Sequence, residues 1–216
     1  MPASVSLHNA TFADLPDAAR LLIKAFSTGP IIEWAEPDPT ARVGLLEPCF
    51  TAMLNHPYSL TRLAHLDGRI VGAALWIPEP TPSVDLDELA ADLPPGTAVN
   101  RPALLEKTAA QQRPHGIYHH LAYLAVDPHH RQHQIGSYLL SDYLTQLTTN
   151  GIPAYLEASN LRNRALYQRH GFTDLGQPLT VDDSPPIWAM WHPAERSPAQ
   201  APPPALGPSY ERAPQP

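Results

Sequence analysis

Leu124-Ala-Val-Asp-Pro-His-His-Arg-Gln-His-Gln-Ile-Gly-Ser137 is the stretch of sequence that decides the fold. It joins a β-prone run, 117–126, to a run, 135–147, in which apolar residues recur every four positions as they do along an amphipathic helix. A helix that begins directly after a strand leaves its first N–H groups without partners and directs the positive end of its dipole outward. The turn is therefore suited to bind a pyrophosphate, and Arg131 and His133 can add positive charge.

Strand and helix patterns alternate on both sides of this turn. Strand patterns occupy 4–8, 59–66, 69–77, 117–126, 154–158, 172–181 and 187–191. Helix patterns occupy 15–26, 40–54, 103–112, 135–150 and 160–170, and the proline-containing segment 31–39 is expected to be a loop. Asp67-Gly68 predicts a tight hairpin turn between the second and third strands, since both residues readily take positive φ angles.

The turn also carries a recognisable motif, Val126-x-Pro128-x-x-Arg131-x-x-Gln134-x-Gly136. It resembles the acetyl-CoA signature of the GNAT superfamily of N-acetyltransferases, V-x-P-x-x-R/Q-x-x-G-x-G/A, at four of the five marked positions. The departure is Gln134, where the family usually has glycine. We expect a wider or strained loop there, with an amide less available to phosphate, because a side chain disfavours the backbone angles that glycine tolerates.

A second segment, Tyr155-Leu-Glu-Ala-Ser-Asn160 continuing to Tyr167-Gln-Arg-His-Gly171-Phe172, resembles the second GNAT signature, a strand leading to a helix that ends in Y-x-x-x-G-F. In such enzymes the tyrosine, here Tyr167, lies beside the coenzyme sulfur and can return a proton to the departing thiolate. Asn163, one helical turn earlier, resembles an asparagine that often bonds the coenzyme arm. Bulk packing for Tyr167 and helix capping for Asn163 are the plainer alternatives. The run Tyr155-Leu-Glu-Ala-Ser is most similar to the puromycin-N-acetyltransferase-like branch.

The resemblance implies a GNAT fold of the α/β (α+β) class. This fold has a mixed, mostly antiparallel sheet of about seven strands, flanked by helices and splayed between the fourth and fifth strands. We expect one domain, 1–193, with an insertion at 78–114, and a proline-rich disordered tail, 194–216. The implied acetyl donor is acetyl-CoA. The residues expected to contact it are Leu124, Ala125, Val126, Arg131, Gln132, His133, Gln134, Ile135, Gly136, Ser137, Asn163 and Tyr167.

An amine acceptor is protonated at neutral pH, so the reaction needs a group that removes a proton. His120 lies six residues before Val126. This resembles the place of the catalytic glutamate in histone acetyltransferases and of a catalytic histidine in arylalkylamine acetyltransferases. Histidine changes charge near neutral pH, which suits a base. His119 should face the other side of the strand, Glu157 is the rival base, and a merely structural His120 is equally compatible with the sequence.

The acceptor side is expected to include the acidic, tryptophan-containing segment near residue 34. Trp34 and Glu33 could together hold an ammonium group, since an aromatic face beside a carboxylate attracts cations. An exposed acidic loop with one anchoring tryptophan is the plainer interpretation. The resemblance also assigns oxyanion stabilisation to a backbone amide near 124–126.

These features predict acetyl transfer to a primary amine of a small molecule. Direct attack in a ternary complex is expected, because no cysteine stands at a signature position to carry the acetyl group. Two alternatives stay open. One is a catalytically inactive GNAT-fold protein that binds acetyl-CoA or has a regulatory role, and the other is a protein or peptide N-acetyltransferase. The acceptor itself has no decisive sequence pattern.

Composition excludes several other classes. A net charge of −7 with only 14 Lys and Arg disfavours nucleic-acid binding, and no run approaches the ~20 apolar residues of a membrane span. Cys49 is the only cysteine, which favours a reducing, cytoplasmic setting. We expect no metal site, since the histidines at 129, 130 and 133 lack an H-E-x-x-H or cysteine pattern. We expect a monomer or a homodimer.

Overall fold

The structure is a computed structural model that describes residues 4–81, 100–131 and 133–194. Three sequence predictions therefore fall, wholly or in part, outside the described residues. They are the coenzyme contact of Gln132, the middle of the predicted insertion at 82–99, and the predicted tail from 195 onward.

Seven strands form one sheet in the order β1-β2-β3-β4-β5-β7-β6. Their bounds are Ser6–Asn9 (β1), Leu60–Leu66 (β2), Arg69–Glu79 (β3), Tyr118–Val126 (β4), Ala154–Ala158 (β5), Thr173–Asp174 (β6) and Trp188–His192 (β7). Every neighbouring pair is antiparallel except β4 and β5, which are parallel. The predicted mixed, mostly antiparallel sheet of the GNAT fold is confirmed.

Helices cover both faces of this sheet. Their bounds are Leu15–Phe26 (α1), Pro30–Ala35 (α2), Arg42–Asn55 (α3), Asn100–Ala110 (α4), Ile135–Thr149 (α5) and Leu161–Arg169 (α6). Apolar residues of α1 and α3 pack with β2 and β3 on one face, and those of α5 and α6 pack with β4 and β5 on the other. A third apolar cluster joins α2, α4 and the segment before β7. Among the helices in the described ranges, none combines the length and apolar character needed to span a bilayer.

The prediction of a loop at 31–39 was wrong, because Pro30–Ala35 is helical. Pro30 occupies the first turn of α2, where its missing N–H has no helical partner to lose. The other prolines of the segment follow the helix and end it. Trp34 and Ala35 are buried against α4, and this tertiary contact stabilises a helix too short to be stable alone.

The predicted strand 172–181 was also wrong in extent. Only Thr173–Asp174 pairs as β6, and a single bridge joins Leu179 to Ile187 further on. Gly176 has a φ of 72°, which turns the chain out of the strand direction between these two contacts. The hairpin at Asp67-Gly68 is confirmed, with φ angles of 51° and 75°.

The sheet is splayed between β4 and β5, as the resemblance implied. Parallel pairing joins 119–121 of β4 to 154–156 of β5 and extends over only three residue pairs. A β-bulge on β4 follows directly, since Leu121 pairs with Trp76 and Tyr123 with Leu75, which leaves Ala122 as the extra residue. The remaining part of β4, 122–126, stays paired to β3 alone. We call the opening between 122–126 and β5 the seam.

Gly72 of β3 allows α5 to lie directly on the sheet. A Cβ at this position would stand 2.7 Å from Ile135 Cγ2, 3.0 Å from Leu139 Cδ1 and 3.3 Å from Ala64 Cβ. Such separations are shorter than van der Waals contact, so only glycine permits this packing. Gly72 thereby sets the position of the first turn of α5 relative to the seam.

Gly72→Ala should lower the free energy of unfolding by about 1–3 kcal/mol, because the added methyl group overpacks the contact with α5. Urea denaturation measures the effect. The matched control is Gly44→Ala inside α3, where an added Cβ meets no described atom within 4 Å. There alanine should leave stability unchanged or raise it by up to ~1 kcal/mol, as expected for glycine replacement in a helix. Equal effects of the two substitutions would contradict the packing role of Gly72.

Candidate active site

The turn after β4 is held in place by Asp127. Its carboxylate accepts hydrogen bonds from the backbone N–H of His129 at 2.8 Å and from Lys24 Nζ at 2.9 Å. Burial opposes ionisation of Asp127, but the hydrogen bonds from Lys24 and His129 outweigh it and lower the pKa of the carboxyl group. The turn is thus anchored to α1 on one side and enters α5 on the other.

Gln134 takes the left-handed conformation, with φ 59° and ψ 12°, at the position where the GNAT signature has glycine. A side chain in this region is strained by about 1–2 kcal/mol. The backbone therefore keeps the left-handed turn that a glycine would adopt, and the consequence of having glutamine there is local strain. Ile135, the next residue, is 1% exposed and anchors the turn to the core.

The N-terminus of α5 presents free backbone donors. The first helical hydrogen bond runs from Tyr138 N to Gln134 O at 2.9 Å, so the amides of 135–137 precede any intrahelical bond. No described side chain caps this end. Arg131 and His133 are exposed beside it. Uncapped amides, the positive end of the helix dipole and adjacent basic side chains together fit a diphosphate.

The seam also presents unpaired backbone. Asp127 N donates to Val71 O at 2.9 Å on the β3 side. Because successive N–H groups of a strand point in opposite directions, those of Val126 and Leu124 point toward the seam. These donors need acceptors, since buried amides are rarely left without a partner. An extended ligand arm carrying amide oxygens would provide them.

His120 and Glu157 form a hydrogen-bonded pair beside the closed end of the seam. His120 Nε2 lies 2.7 Å from Glu157 Oε2, with the two side chains 6% and 15% exposed. Arg113 Nε donates to the other oxygen of Glu157 at 3.0 Å, and Arg113 also donates to Glu106 at 2.8 Å. The two residues predicted as rival bases therefore belong to one network, in which an arginine compensates the carboxylate charge.

The network keeps Glu157 ionised. Burial opposes its ionisation, but the charge and hydrogen bond of His120, followed by those of Arg113, lower the pKa of Glu157 to about 2. A carboxylate with so low a pKa is a weak base. Beside it, Tyr155 has a buried hydroxyl that lacks a hydrogen-bond partner among the described residues. Burial and the Glu157 carboxylate raise the pKa of Tyr155 above its ordinary value.

His119 lies on the opposite face of β4, as the alternation predicted. Its Nδ1 is 2.9 Å from the hydroxyl of Tyr143 on α5. Burial lowers the pKa of His119. The neighbouring histidines thus have different surroundings, and only His120 faces Glu157.

Tyr167 is 6% exposed and packs against Phe172, with ring centroids 5.9 Å apart. It belongs to the apolar cluster that includes Leu156, whereas His120 is on the other face of the sheet. Burial raises the pKa of Tyr167 above its ordinary value, so the phenol keeps its proton at neutral pH. Asn163 donates its backbone N–H to Asn160 Oδ1 at 2.9 Å, and its half-buried side chain stands one helical turn before Tyr167.

Trp34 and Glu33 make other contacts in this structure. Trp34 Nε1 donates to Asp183 at 2.7 Å, and the Arg101 guanidinium lies 5.3 Å from the centroid of the Trp34 ring. Glu33 is exposed and accepts from the Gly29 N–H at 3.2 Å. The cation position over the tryptophan is therefore taken by Arg101. Acceptor binding by Trp34 and Glu33 stays a prediction.

Comparison with known families gives an independent result. A family model described as the acetyltransferase (GNAT) family matches residues 22–172, which is more than half of the chain. The chain belongs to the GNAT family of acetyltransferases.

Solved structures of several GNAT proteins are similar to this one. A Corynebacterium glutamicum protein described as histone acetyltransferase HPA2 and related acetyltransferase is 28% identical, with a TM-score of 0.69 over 88% of this chain and 96% of that chain. Arylalkylamine N-acetyltransferase 2 from Aedes aegypti is 14% identical, with a TM-score of 0.63 over 88% and 99%. PaiA N-acetyltransferase from Thermoplasma acidophilum, in complex with coenzyme A, is 14% identical, with a TM-score of 0.50 over 88% and 99%. The last two share the fold.

Neither Arg113 nor Glu106 of this GNAT protein was predicted from the sequence as a site residue. Arg113 is 44 positions from Glu157 in the chain, and it lies in the proline-rich segment where periodicity is broken. The only available signal was the presence of charged side chains just before β4. Their contact with β5 is decided by the path of the chain after α4.

Gln134→Gly should raise the free energy of unfolding by up to ~1 kcal/mol, because relief of left-handed strain exceeds the greater entropy of glycine in the unfolded chain. Calorimetric titration should also show tighter binding of coenzyme A. The control is Asp67→Gly, another position with positive φ, at 51°, located in the hairpin. It should gain similar stability with no change in coenzyme affinity. Unchanged affinity in Gln134→Gly would contradict the strain argument for the turn.

Glu157 should make stability depend on pH in the acid range. Its folded pKa of about 2 lies below the ordinary 4.5, so its contribution is complete above pH 4.5 and is lost as the pH falls toward 2. Wild type should lose about 3 kcal/mol more than Glu157→Gln across this interval, measured by urea denaturation at each pH. Glu106→Gln, whose carboxylate is 45% exposed, should keep the wild-type slope. Parallel curves for wild type and Glu157→Gln would refute the assignment.

Proposed function

We propose that this GNAT protein is an acetyl-CoA-dependent N-acetyltransferase that acetylates a primary amine of a small molecule in a ternary complex. The observation that carries the proposal is the seam. At its open end stands the uncapped N-terminus of α5, and at its closed end stands the pair His120–Glu157. Tyr167 packs on the opposite face from His120. A thioester placed in the seam would be within reach of side chains from both faces.

Acetyl-CoA would be held by the turn and the seam. The amides of 135–137, with Arg131 and His133, would bind the diphosphate, and the N–H groups of Leu124 and Val126 would bind the pantetheine arm. A GNAT structure with the same fold, PaiA, contains coenzyme A. When bound, acetyl-CoA supplies an acetyl group on a thioester whose sulfur departs as a thiol.

His120 is the proposed base, and Glu157 orients it. Because Glu157 is an ionised carboxylate, it accepts a hydrogen bond, and His120 Nε2 must carry the hydrogen. This leaves Nδ1 as the nitrogen that takes one proton from the attacking amine, directly or through one water. The carboxylate also stabilises the imidazolium that forms. The same logic of base and orienting carboxylate operates in other acyl-transfer sites.

Tyr167 is the proposed acid. Its raised pKa keeps the hydroxyl protonated, so it can donate that proton to the departing sulfur and recover it from solvent. Direct transfer is favoured because Cys49 is a poor nucleophile. Burial raises the pKa of the Cys49 thiol, and its Sγ lies 3.7 Å from the hydroxyl of Tyr123.

A slender acceptor is favoured by the position of the base. His120 is only 5% exposed, so the amine must enter a narrow space to reach it. The similarity of Tyr155-Leu-Glu-Ala-Ser to puromycin-N-acetyltransferase-like enzymes supports a small molecule. A protein or peptide acceptor is the second candidate, because a 28% identical protein is described as a histone acetyltransferase.

A thiol-release assay with acetyl-CoA tests the proposal. The panel should contain arylalkylamines, polyamines, amino acids, aminonucleosides, and peptides with free N-termini or lysines. Turnover of a small amine at a higher kcat/KM than any peptide is expected. Calorimetric binding of coenzyme A without thiol release from any acceptor would favour a non-catalytic protein, and faster peptide turnover would favour the second candidate.

His120→Gln should lower kcat by about 10²–10⁴-fold, the usual contribution of a positioned base, with little change in coenzyme affinity. Initial rates and calorimetry measure the two effects. The matched control is His119→Gln, which changes the neighbouring residue on the opposite face, bonded to Tyr143. It should retain most of the activity. Similar losses in both variants would indicate that His120 is structural.

Tyr167→Phe should lower kcat by at least ~10-fold while coenzyme binding stays within about twofold of wild type, because only the acidic hydroxyl is removed. The ring remains to pack on Phe172. Equal loss of kcat and of coenzyme affinity would mean that Tyr167 supports structure instead of proton transfer.

A further inference from the structure

A group of three metal-ligating side chains lies at the edge of the sheet far from the seam. It consists of His8 on β1, His65 on β2 and Asp14 at the entry to α1. One ligand atom of each residue lies within 4.8 Å of those of the other two. All three residues are half-buried. We call this group the edge cluster.

The strand register brings the two histidines together. His8 pairs with Leu63 and Ser6 pairs with His65, so His8 and His65 are diagonal neighbours on the same face of the β1–β2 pair. Their ring centroids are 4.3 Å apart, with an interplanar angle of 65°. Asp14 ends the short 3-10 turn, Phe12–Asp14, that leads from β1 into α1. Three separate elements therefore supply one ligand each.

An unpartnered nitrogen points to a missing ligand in the edge cluster. His65 Nε2 is buried and has no hydrogen-bond partner among the described residues. Buried polar atoms of this kind are uncommon, because they lose hydration without gaining a replacement. A bound cation would use the lone pair of this nitrogen.

Asp14 keeps coordination capacity although it already caps the turn. Its Oδ2 accepts from Thr11 N at 2.8 Å and from Thr11 Oγ1 at 2.6 Å. A carboxylate offers about four lone-pair sites, so two remain.

We propose that His8, Asp14 and His65 bind one divalent late first-row transition-metal ion, of which Zn²⁺ is the best match. Two imidazoles with one carboxylate suit such ions, whereas Mg²⁺ and Ca²⁺ prefer oxygen ligands. Bonds of about 2.0–2.2 Å to one shared ion are compatible with ligand atoms that lie within 4.8 Å of one another. A water would complete a tetrahedral shell.

The bound ion has a structural role. β1 is the terminal strand of the sheet, with two strands between it and β4. An ion at the edge cluster would join β1, β2 and the start of α1. It acts on stability and leaves the acetyl-transfer chemistry unchanged, so the inference is independent of the proposed function.

The test uses the full chain without a polyhistidine tag, freed of metal by a chelator and titrated with ZnCl₂ in a calorimeter. One equivalent should bind, and the melting temperature should rise by roughly 5 °C or more when free Zn²⁺ exceeds Kd about 100-fold. Co²⁺ should produce visible absorption bands of a low-symmetry site. His8→Gln should weaken Zn²⁺ binding at least ~10-fold. His133→Gln, which alters an exposed histidine of the coenzyme turn, should leave it unchanged.

A second pair of variants separates ligation from capping. Asp14→Asn removes the charged ligand, and Thr11→Ala removes the hydrogen bonds of the Thr11 side chain while the carboxylate stays. Asp14→Asn should lose Zn²⁺ affinity and Thr11→Ala should keep it, even if both lower the melting temperature of the metal-free chain. Absence of saturable Zn²⁺ binding, or binding that is lost in His133→Gln and retained in His8→Gln, would overturn the proposal.

Discussion

Three parallel residue pairs between β4 and β5 hold the two halves of this sheet together. Everything else about the site depends on the shortness of that contact. The bulge at Ala122 ends the pairing and turns β4 away, which leaves backbone donors facing an open seam. A fully paired sheet would have satisfied these groups and closed the molecule to any ligand between its halves. The fold thus leaves the edge of 122–126 that faces β5 unpaired.

The seam has chemically different ends because different forces shape them. At one end, α5 begins at a strained, left-handed Gln134 and presents amides without side-chain caps among the described residues. At the other end, Glu157, Arg113 and His120 form a nearly buried polar network. Burial alone would neutralise the carboxylate, but an arginine on one oxygen and an imidazole on the other keep it charged. A buried charge held by two partners orients the histidine.

Packing of the helices against the sheet fixes the positions of the amide donors and of the polar network. Because Gly72 has no side chain, the first turns of α5 pack directly on β3, and this contact fixes the position of the amide donors relative to the seam. Lys24 of α1 holds the preceding turn through Asp127. On the opposite face, α4 carries Glu106 to the arginine that neutralises Glu157. Elements distant in sequence are therefore needed to align a small number of donors and one candidate base.

Local sequence patterns predicted most of the fold. The strand-turn-helix units around 124–137 and 154–172, the Asp67-Gly68 hairpin and the mixed sheet were confirmed. Those predictions rest on features within about ten residues of one another, such as hydrophobic periodicity, helix capping and turn preference. The two errors lie where contacts are long-range or glycine breaks a pattern: α2 is stabilised by α4, and Gly176 ends the strand after Thr173–Asp174.

For the site, the sequence alone identifies the family and predicts a phosphate-binding turn together with the candidates His120, Glu157 and Tyr167. The three-dimensional fold was needed to show that the two supposed rival bases are bonded to each other, and that Arg113 joins them from a segment with no readable pattern. It also brought His8, Asp14 and His65 together. The physical reason is the same in each case. Residue type and spacing encode the chemistry of a side chain, whereas its partners depend on strand register and on where a distant loop returns to the sheet.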